Sequence, residues 1–444
     1  MSHPAIPAGE RQLKRDIGFF GAAFIAFNGA IGAGIFALPG RLDADFGGFA
    51  PWLFPIFGLL ILVIAVPFGR VASHYPVSGG PVRYAARFGP LASFQAGWLL
   101  WVARVTAVGA NLNLLADYGG AAWAPLGTGA GRAALILVVC ALIGSLNYTG
   151  VRRGMGAINL LTAFKALPLI GVALLGLWLF ADSIPAPAPP PALGALESAA
   201  LIVLYAFVGF ETAVLPAGEM RDPARTLARA MIVTLLLIIF LYFLVQLAYG
   251  AAMPVGPAPD APLAALGAVV AGAAGALILT AGAAFSILGN VANALLSAPR
   301  VLFALGVDGL LPDWFGRVHA RYATPANAVA FTTAAIVLLA LTGSFVWLAA
   351  ASTLARLIVY GLSIAALPGV ERERGKTGEA GAGKRPVTWA MVAAALGVCL
   401  WAMLQSDWTQ WRVLLALAAA GVLLYLLAAR GRGKMMARRE RRGE

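Results

Sequence analysis

Three groups of residues in this sequence have types and spacings that could do chemistry, and that chemistry is the non-covalent grip of a small charged solute. The first is Phe27-Asn-Gly-Ala-Ile-Gly-Ala-Gly-Ile-Phe36, where Gly29, Gly32 and Gly34 fall within one apolar run. Glycine in a helix interior costs about 0.8–1.0 kcal/mol relative to alanine. Either this run packs tightly on a neighbouring helix, or it unwinds part-way. The second is Tyr205-Ala-Phe-Val-Gly-Phe-Glu-Thr-Ala-Val-Leu-Pro-Ala-Gly218, which carries Gly209, Pro216, Gly218 and an ionisable Glu211. Unwound backbone at bilayer depth is tolerated only where it lines a cavity. N–H groups freed at the start of a half-helix suit an anion, and carbonyls at a helix end suit a cation. The third group is Arg104, Lys165 and Arg356, cations inside apolar runs, where a charge must face a cavity or a partner.

The elements that would position these residues are membrane helices. The chain has 444 residues, 61% hydrophobic and 11% charged, against about 25% charged in a soluble domain. Apolar runs lie at 17–40, 49–72, 91–118, 131–150, 155–181, 196–218, 229–252, 266–303, 326–343, 346–368, 387–404 and 411–430. Each approaches or exceeds the roughly 20 residues that cross a bilayer, so twelve spans are expected. The run at 266–303 is too long for one crossing, and its ends should leave the hydrocarbon.

Of the 32 lysines and arginines, only Arg41, Arg132 and Arg412 fall on one side of this alternation, and Arg104, Lys165 and Arg356 fall within spans. All the others share the opposite side. That asymmetry puts both termini in the cytoplasm and accounts for the net charge of +13 without nucleic acid. The basic tail 430–442 is expected to anchor the topology, and the proline-rich stretch 184–191 to form an extended outer spacer. The loops 77–89 and 300–325 should contain short interfacial helices. Cys140 and Cys399 sit in apolar runs and make no disulfide framework. No cleavable signal peptide is evident.

Other classes fit poorly. The three histidines, His3, His74 and His319, lie outside the runs without a ligand at helical spacing, so no zinc hydrolase motif is formed. There is no G-x-x-x-x-G-K-[ST] loop for direct use of ATP. A pair of broken helices at matching places in two five-span groups points instead to a transporter site between inverted repeats, and away from a channel's axial rings.

Several segments, in order, resemble the amino acid–polyamine–organocation (APC) permeases. They are Gly29–Phe36, Pro76-Val-Ser-Gly-Gly-Pro-Val-Arg-Tyr84, Gly209-Phe-Glu211, Gly218-Glu-Met-Arg-Asp-Pro-Ala-Arg-Thr226 and Pro299-Arg-Val-Leu-Phe-Ala-Leu-Gly-Val-Asp-Gly-Leu-Leu-Pro312. The resemblance implies an all-α polytopic membrane protein with a five-plus-five inverted repeat (the LeuT-type fold) and two added helices. Its first repeat would be 17–181 and its second 196–368, joined by the outer loop 182–195. A cytoplasmic loop 369–386 and spans at 387–430 would follow, with tails at 1–16 and 431–444. It also implies a zwitterionic substrate, held around Ala30, Ile31, Gly32, Ala33, Gly34, Val208, Gly209 and Glu211. The N–H groups of Ala33 and Gly34 would take its carboxylate, and the carbonyls of Ala30, Tyr205 and Val208 its ammonium. Tyr205 and Phe207 would cover it as an aromatic gate, or be plain core.

By the same resemblance Lys165 stands where sodium-coupled relatives bind sodium. A lysine held out of water can exchange its proton near neutral pH. Lys165, with Ser286, is therefore expected to couple transport to protons; the rival role is a permanently charged brace in a sodium-independent exchanger. Arg104 departs from the family pattern. It could pair with Glu211, meet an acidic substrate's side chain, or link helix-end carbonyls. Asn111 and Asn113 could also reach the cavity. The expected protein is thus a proton-coupled amino acid symporter of the cell inner membrane. Its partners are an amino acid or amine, protons and lipid, with no metal or cofactor.

Overall fold

A computed structural model describes residues 16–75, 79–149, 155–254, 256–376 and 385–442. Residues 1–15 of the expected tail 1–16, Pro76 to Ser78, Arg152, Arg153 and the middle of the 369–386 loop lie outside the described residues, as do the side chains of the basic tail beyond Arg430. The described residues form α-helices α1 (Phe19–Ala30), α2 (Ala33–Phe46), α3 (Ala50–Ser73), α4 (Pro81–Ala85), α5 (Pro90–Ala122), α6 (Gly129–Thr149), α7 (Met155–Leu179), α8 (Leu193–Tyr205), α9 (Pro223–Ala252), α10 (Pro262–Val307), α11 (Ala326–Thr342), α12 (Phe345–Ala365), α13 (Leu367–Lys376), α14 (Arg385–Leu404) and α15 (Trp408–Arg442). Helical residues cover each of the twelve apolar runs. Among the described residues nine helical stretches are long and apolar enough to cross a bilayer, and Phe19–Ala30 and Ala326–Thr342 are shorter apolar helices.

Local sequence explains many helix starts. Proline stands in the first turn of α3, α4, α5, α9 and α10, where its missing N–H leaves no bond unmade. Asp222 caps α9 by accepting from the Arg225 N–H at 3.2 Å. Residues 184–192 are non-helical, and Ile184 (φ −59°, ψ 120°) and Ala192 (φ −56°, ψ 146°) are close to polyproline geometry.

One expectation needs correction, and the long run 266–303 proves bent: α10 breaks at Ala271 (φ −142°) and Gly272 (φ 63°, ψ −153°). Gly272 supplies the left-handed conformation. Across the bend, a Cβ on Gly267 would lie 2.5 Å from the Gly275 carbonyl oxygen. The loop 300–325 has no helix of its own, because α10 itself runs to Val307 and turns follow. The 77–89 loop does carry a short helix, α4.

The chain divides into two compact units. Unit 1 is Met1–Phe88, Leu169–Ala258 and Leu357–Gln405. In it α3 lies along α9, with Gly69 set against Ala228 and Gly58 against Ile239. Unit 2 is Gly89–Pro168, Pro259–Arg356 and Ser406–Glu444. Its centre is α5, whose indole groups bond outward: Trp98 Nε1 donates to the Leu417 carbonyl at 2.8 Å and Trp101 Nε1 to Thr332 Oγ1 at 3.1 Å.

Candidate functional site

Both glycine-bearing segments of unit 1 are interrupted. α1 closes when the Ile31 N–H donates to the Phe27 carbonyl at 3.0 Å. Ile31 (ψ 98°) and Gly32 (φ −128°, ψ −152°) are extended, and α2 starts afresh at Ala33. The N–H groups of Gly32, Ala33, Gly34 and Ile35 thus have no carbonyl one turn back to bond. α8 ends at Tyr205, and two tight turns follow, Ala206 N–H to Val203 O at 3.1 Å and Phe207 N–H to Leu204 O at 3.0 Å. Gly209 then takes φ +112°, and a 3₁₀ turn over Phe210–Val214 continues the chain.

The two interruptions touch. A Cβ on Gly29 would overlap Thr212 Oγ1 and lie 2.5 Å from the Gly209 carbonyl oxygen. One on Gly209 would overlap the Gly29 carbonyl, and one on Gly34 would sit 2.7 Å from Ala206 Cα. Tight packing and unwinding are alternatives for the first segment in the sequence; the structure has both, with Gly29 and Gly34 in close packing and Ile31–Gly32 unwound between them. Backbone N–H groups at the start of α2 and backbone carbonyls at the end of α8 therefore come to one place.

Three side-chain sets hold this geometry. Glu211, 2% exposed, accepts from the Gly209 N–H at 2.8 Å and from the Tyr360 hydroxyl at 2.7 Å. Thr212 Oγ1 donates to the Gly209 carbonyl at 2.7 Å and reaches the Ile25 carbonyl at 3.3 Å, joining the two segments. One face of α9 supplies the rest. Thr234 donates to Ala23 O at 3.1 Å, Tyr242 to Ala30 O at 3.4 Å and Gln246 to Pro39 O at 3.1 Å.

Of the expected binding residues, Ala30, Ile31, Ala33, Gly34, Tyr205, Phe207, Val208, Gly209 and Glu211 are buried in unit 1, and Gly32 is partly exposed. Phe207 is fully enclosed, with ring centroids 6.1 Å from Phe54 and 5.7 Å from Tyr242. The ring lies in an aromatic core here. The Ala30 carbonyl retains a second lone pair beside the long bond from Tyr242.

The remaining candidates belong to unit 2. Arg104, on α5, donates to Ser297 Oγ at 2.6 Å. Arg356, on α12, donates to Ser352 Oγ and to the Ala103 carbonyl at 3.4 Å, and Ser352 itself donates to that carbonyl at 2.7 Å. Arg356 thus reaches the turn of α5 that carries Arg104, whose own guanidinium is held by Ser297 of α10. Lys165 is 2% exposed and Ser286 1%; the Ser286 hydroxyl has no hydrogen-bond partner among the described residues. Asn113 is committed elsewhere: its Nδ2 donates to the Gly109 and Ala340 carbonyls and its Oδ1 accepts from Arg132 at 2.7 Å. Asn111 is buried.

Thr212, Thr234, Tyr242, Gln246 and Tyr360 were not singled out from sequence. Thr234, Tyr242 and Gln246 carry a usable signal, being polar residues eight and four apart on an apolar helix, hence on one face. Tyr360 carries none, being 149 positions from the carboxylate it meets.

Fold and site together define a class: a multi-pass helical membrane protein whose polar main chain is bared at two helix breaks, as suits carriage of a small solute. Residues 17–425 match the family described as amino acid permease, and the chain belongs to that family, one of transporters and not of enzymes. It is similar to the branched-chain amino acid permease BcaP of Bacillus subtilis (strain 168), 27% identical over 347 residues that cover 74% of each chain. It is 25% identical to the methylthioribose transporter of the same organism over 443 residues, 95% of this chain and 94% of that one. The serine/threonine exchanger SteT, also of B. subtilis, is 26% identical over 337 residues, 73% of this chain and 76% of its own.

Proposed function

We propose that the chain is a secondary active amino acid transporter, a proton-coupled symporter of the inner membrane working by alternating access. It crosses the bilayer twelve times in a five-plus-five inverted repeat, with both termini in the cytoplasm. The observation that carries the reading is the contact of the two breaks, which presents helix-start N–H groups and helix-end carbonyls to one small volume. The N–H groups of Ala33 and Gly34 take the substrate carboxylate, favoured by the dipole of α2. The carbonyls of Ala30, Tyr205 and Val208 take the ammonium. This grip reads the zwitterion and leaves the side chain to the pocket walls, and relatives named for branched-chain amino acids and for serine and threonine fit such a division. Arg104 acts on side-chain selectivity.

Lys165 exchanges the coupled proton, and Ser286, with its uncommitted hydroxyl, serves the same step. The exchanger relative favours a second reading, sodium-independent amino acid exchange, in which Lys165 stays charged. One experiment tests both: uptake by proteoliposomes of a panel of amino acids, amines and methylthioribose, with and without a proton gradient, with and without internal substrate. The symport reading requires amino acid accumulation driven by the gradient alone. Uptake only against internal substrate selects exchange, and no amino acid uptake in any arm refutes the proposed function.

A further inference from the structure

We propose that a phospholipid with an anionic headgroup occupies a groove between α6 and α11, its acyl chain along the groove and its headgroup on Arg300 and Arg321. The two helices meet where Gly144 lets Thr333 approach, a Cβ there lying 3.1 Å from Thr333 Oγ1. Small residues beside that contact, Ala141 and Ala334 among them, leave a furrow of about 650 Å³ that runs from Tyr148 and Val329 to Leu341 and Thr342. Residues 329–342 span about 20 Å at ~1.5 Å per residue. One leaflet of hydrocarbon is about 15 Å deep, so the furrow is as long as an acyl chain's path through it. The surrounding face of α6 is a lipid-facing one, with Val138 63% and Leu142 60% exposed.

The furrow has arginines beside its Tyr148 end. Tyr148 closes it, with its ring 5.5 Å from His319 and 6.0 Å from Tyr322, over which the Arg321 guanidinium lies at 5.4 Å. Beside Tyr148, Asn147 Oδ1 accepts from Arg300 at 3.5 Å. Arg300 and Arg321 make no ion pair among the described residues, and neither do Asp308 and Asp313 of the connection that follows α10. Two guanidinium groups without an ion pair among the described residues, one on Asn147 next to Tyr148 and one over the Tyr322 ring that neighbours Tyr148, match a phosphate followed by an acyl chain. A second copy of the chain fits less well. A two-fold axis along the membrane normal would set these same cations at one depth on both sides of the contact.

The test is native mass spectrometry of protein released from nanodiscs of equal phosphatidylglycerol and phosphatidylcholine. Wild type should retain phosphatidylglycerol in clear excess. Each arginine near an anionic surface is worth roughly a fivefold preference, so Arg300→Gln with Arg321→Gln should cut the excess about 25-fold. Ala334→Phe, at an exposed position that fills the furrow, should lose both lipids. Arg321→Gln alone, also at an exposed residue, gives a fivefold arm should the double variant not fold. Equal retention of the two lipids by wild type, or an unchanged excess in the variants, overturns the proposal. So does release of the lipid by inorganic phosphate alone, or a dimer that Ala334→Phe dissolves in place of bound lipid.

Discussion

Gly34→Ala is the substitution that tests the meeting of the two broken helices most directly. Gly34 has ordinary helical geometry in α2, so an alanine there is not strained by its own backbone and would even gain in helix propensity. What it meets is main chain: its Cβ would lie 2.7 Å from Ala206 Cα and 3.0 Å from Ala206 Cβ. No rotamer change can relieve a collision with backbone, so the start of α2 and the end of α8 must separate by most of an ångström. Overpacking of this kind costs about 1–3 kcal/mol, which is roughly a fivefold to 150-fold change if it falls on the bound state. The N–H groups of Ala33 and Gly34 move with α2 while the carbonyls opposite stay with α8, so the loss should fall on substrate affinity. The control is Gly397→Ala on α14, where a Cβ meets nothing within 4 Å. Equilibrium binding of the best substrate to purified protein, beside initial uptake rates in proteoliposomes, reads both. Gly34→Ala should weaken binding at least fivefold and Gly397→Ala should leave it alone. If Gly34→Ala binds and transports as the parent does, the substrate is not held between these two breaks.

Other substitutions separate the supporting roles. Tyr360→Phe removes the hydroxyl that donates to buried Glu211. A hydrogen bond to a charged group contributes about 1.5–3 kcal/mol, so hydrogen exchange over residues 209–212 should quicken by about tenfold to a hundredfold, and unchanged protection refutes the strut. Lys165→Ala should abolish substrate-driven proton uptake into proteoliposomes; undiminished uptake removes Lys165 from coupling. Arg104→Ala should alter the order of preference among acidic, neutral and basic amino acids, and an unaltered order takes Arg104 out of selectivity. Thr212→Val keeps the shape but loses the donor to the Gly209 and Ile25 carbonyls, which should raise KM with little change in kcat; a parental KM shows the clip to be dispensable.

How much of this could be read from the chain follows from the range over which each signal acts. The break at Ile31–Gly32 and the left-handed turn at Gly209 are local, because glycine clusters weaken a helix where they stand. Both were legible, as was the helical nature of the twelve runs. The bend at Gly272 is less legible: Gly267, Gly272 and Gly275 are spread over nine positions of an alanine-rich run, a pattern that also reads as close helix packing, and only the fold shows Gly267 meeting Gly275 across a break. Glu211 was legible as an ionisable group in an apolar run, but its partner was not. Periodicity says which face a residue takes, not which of many apolar helices that face will meet. Tyr360 looks like any aromatic on α12, and only the fold turns its hydroxyl into the donor that completes the carboxylate's hold on the Gly209 N–H. The same holds for Arg356, which reaches the turn of α5 that carries Arg104 and so joins residues 252 positions apart. Sequence located the polar groups that a bilayer cannot leave bare; what it lacked was the pairing, because pairing is settled by long-range packing after each helix has already formed.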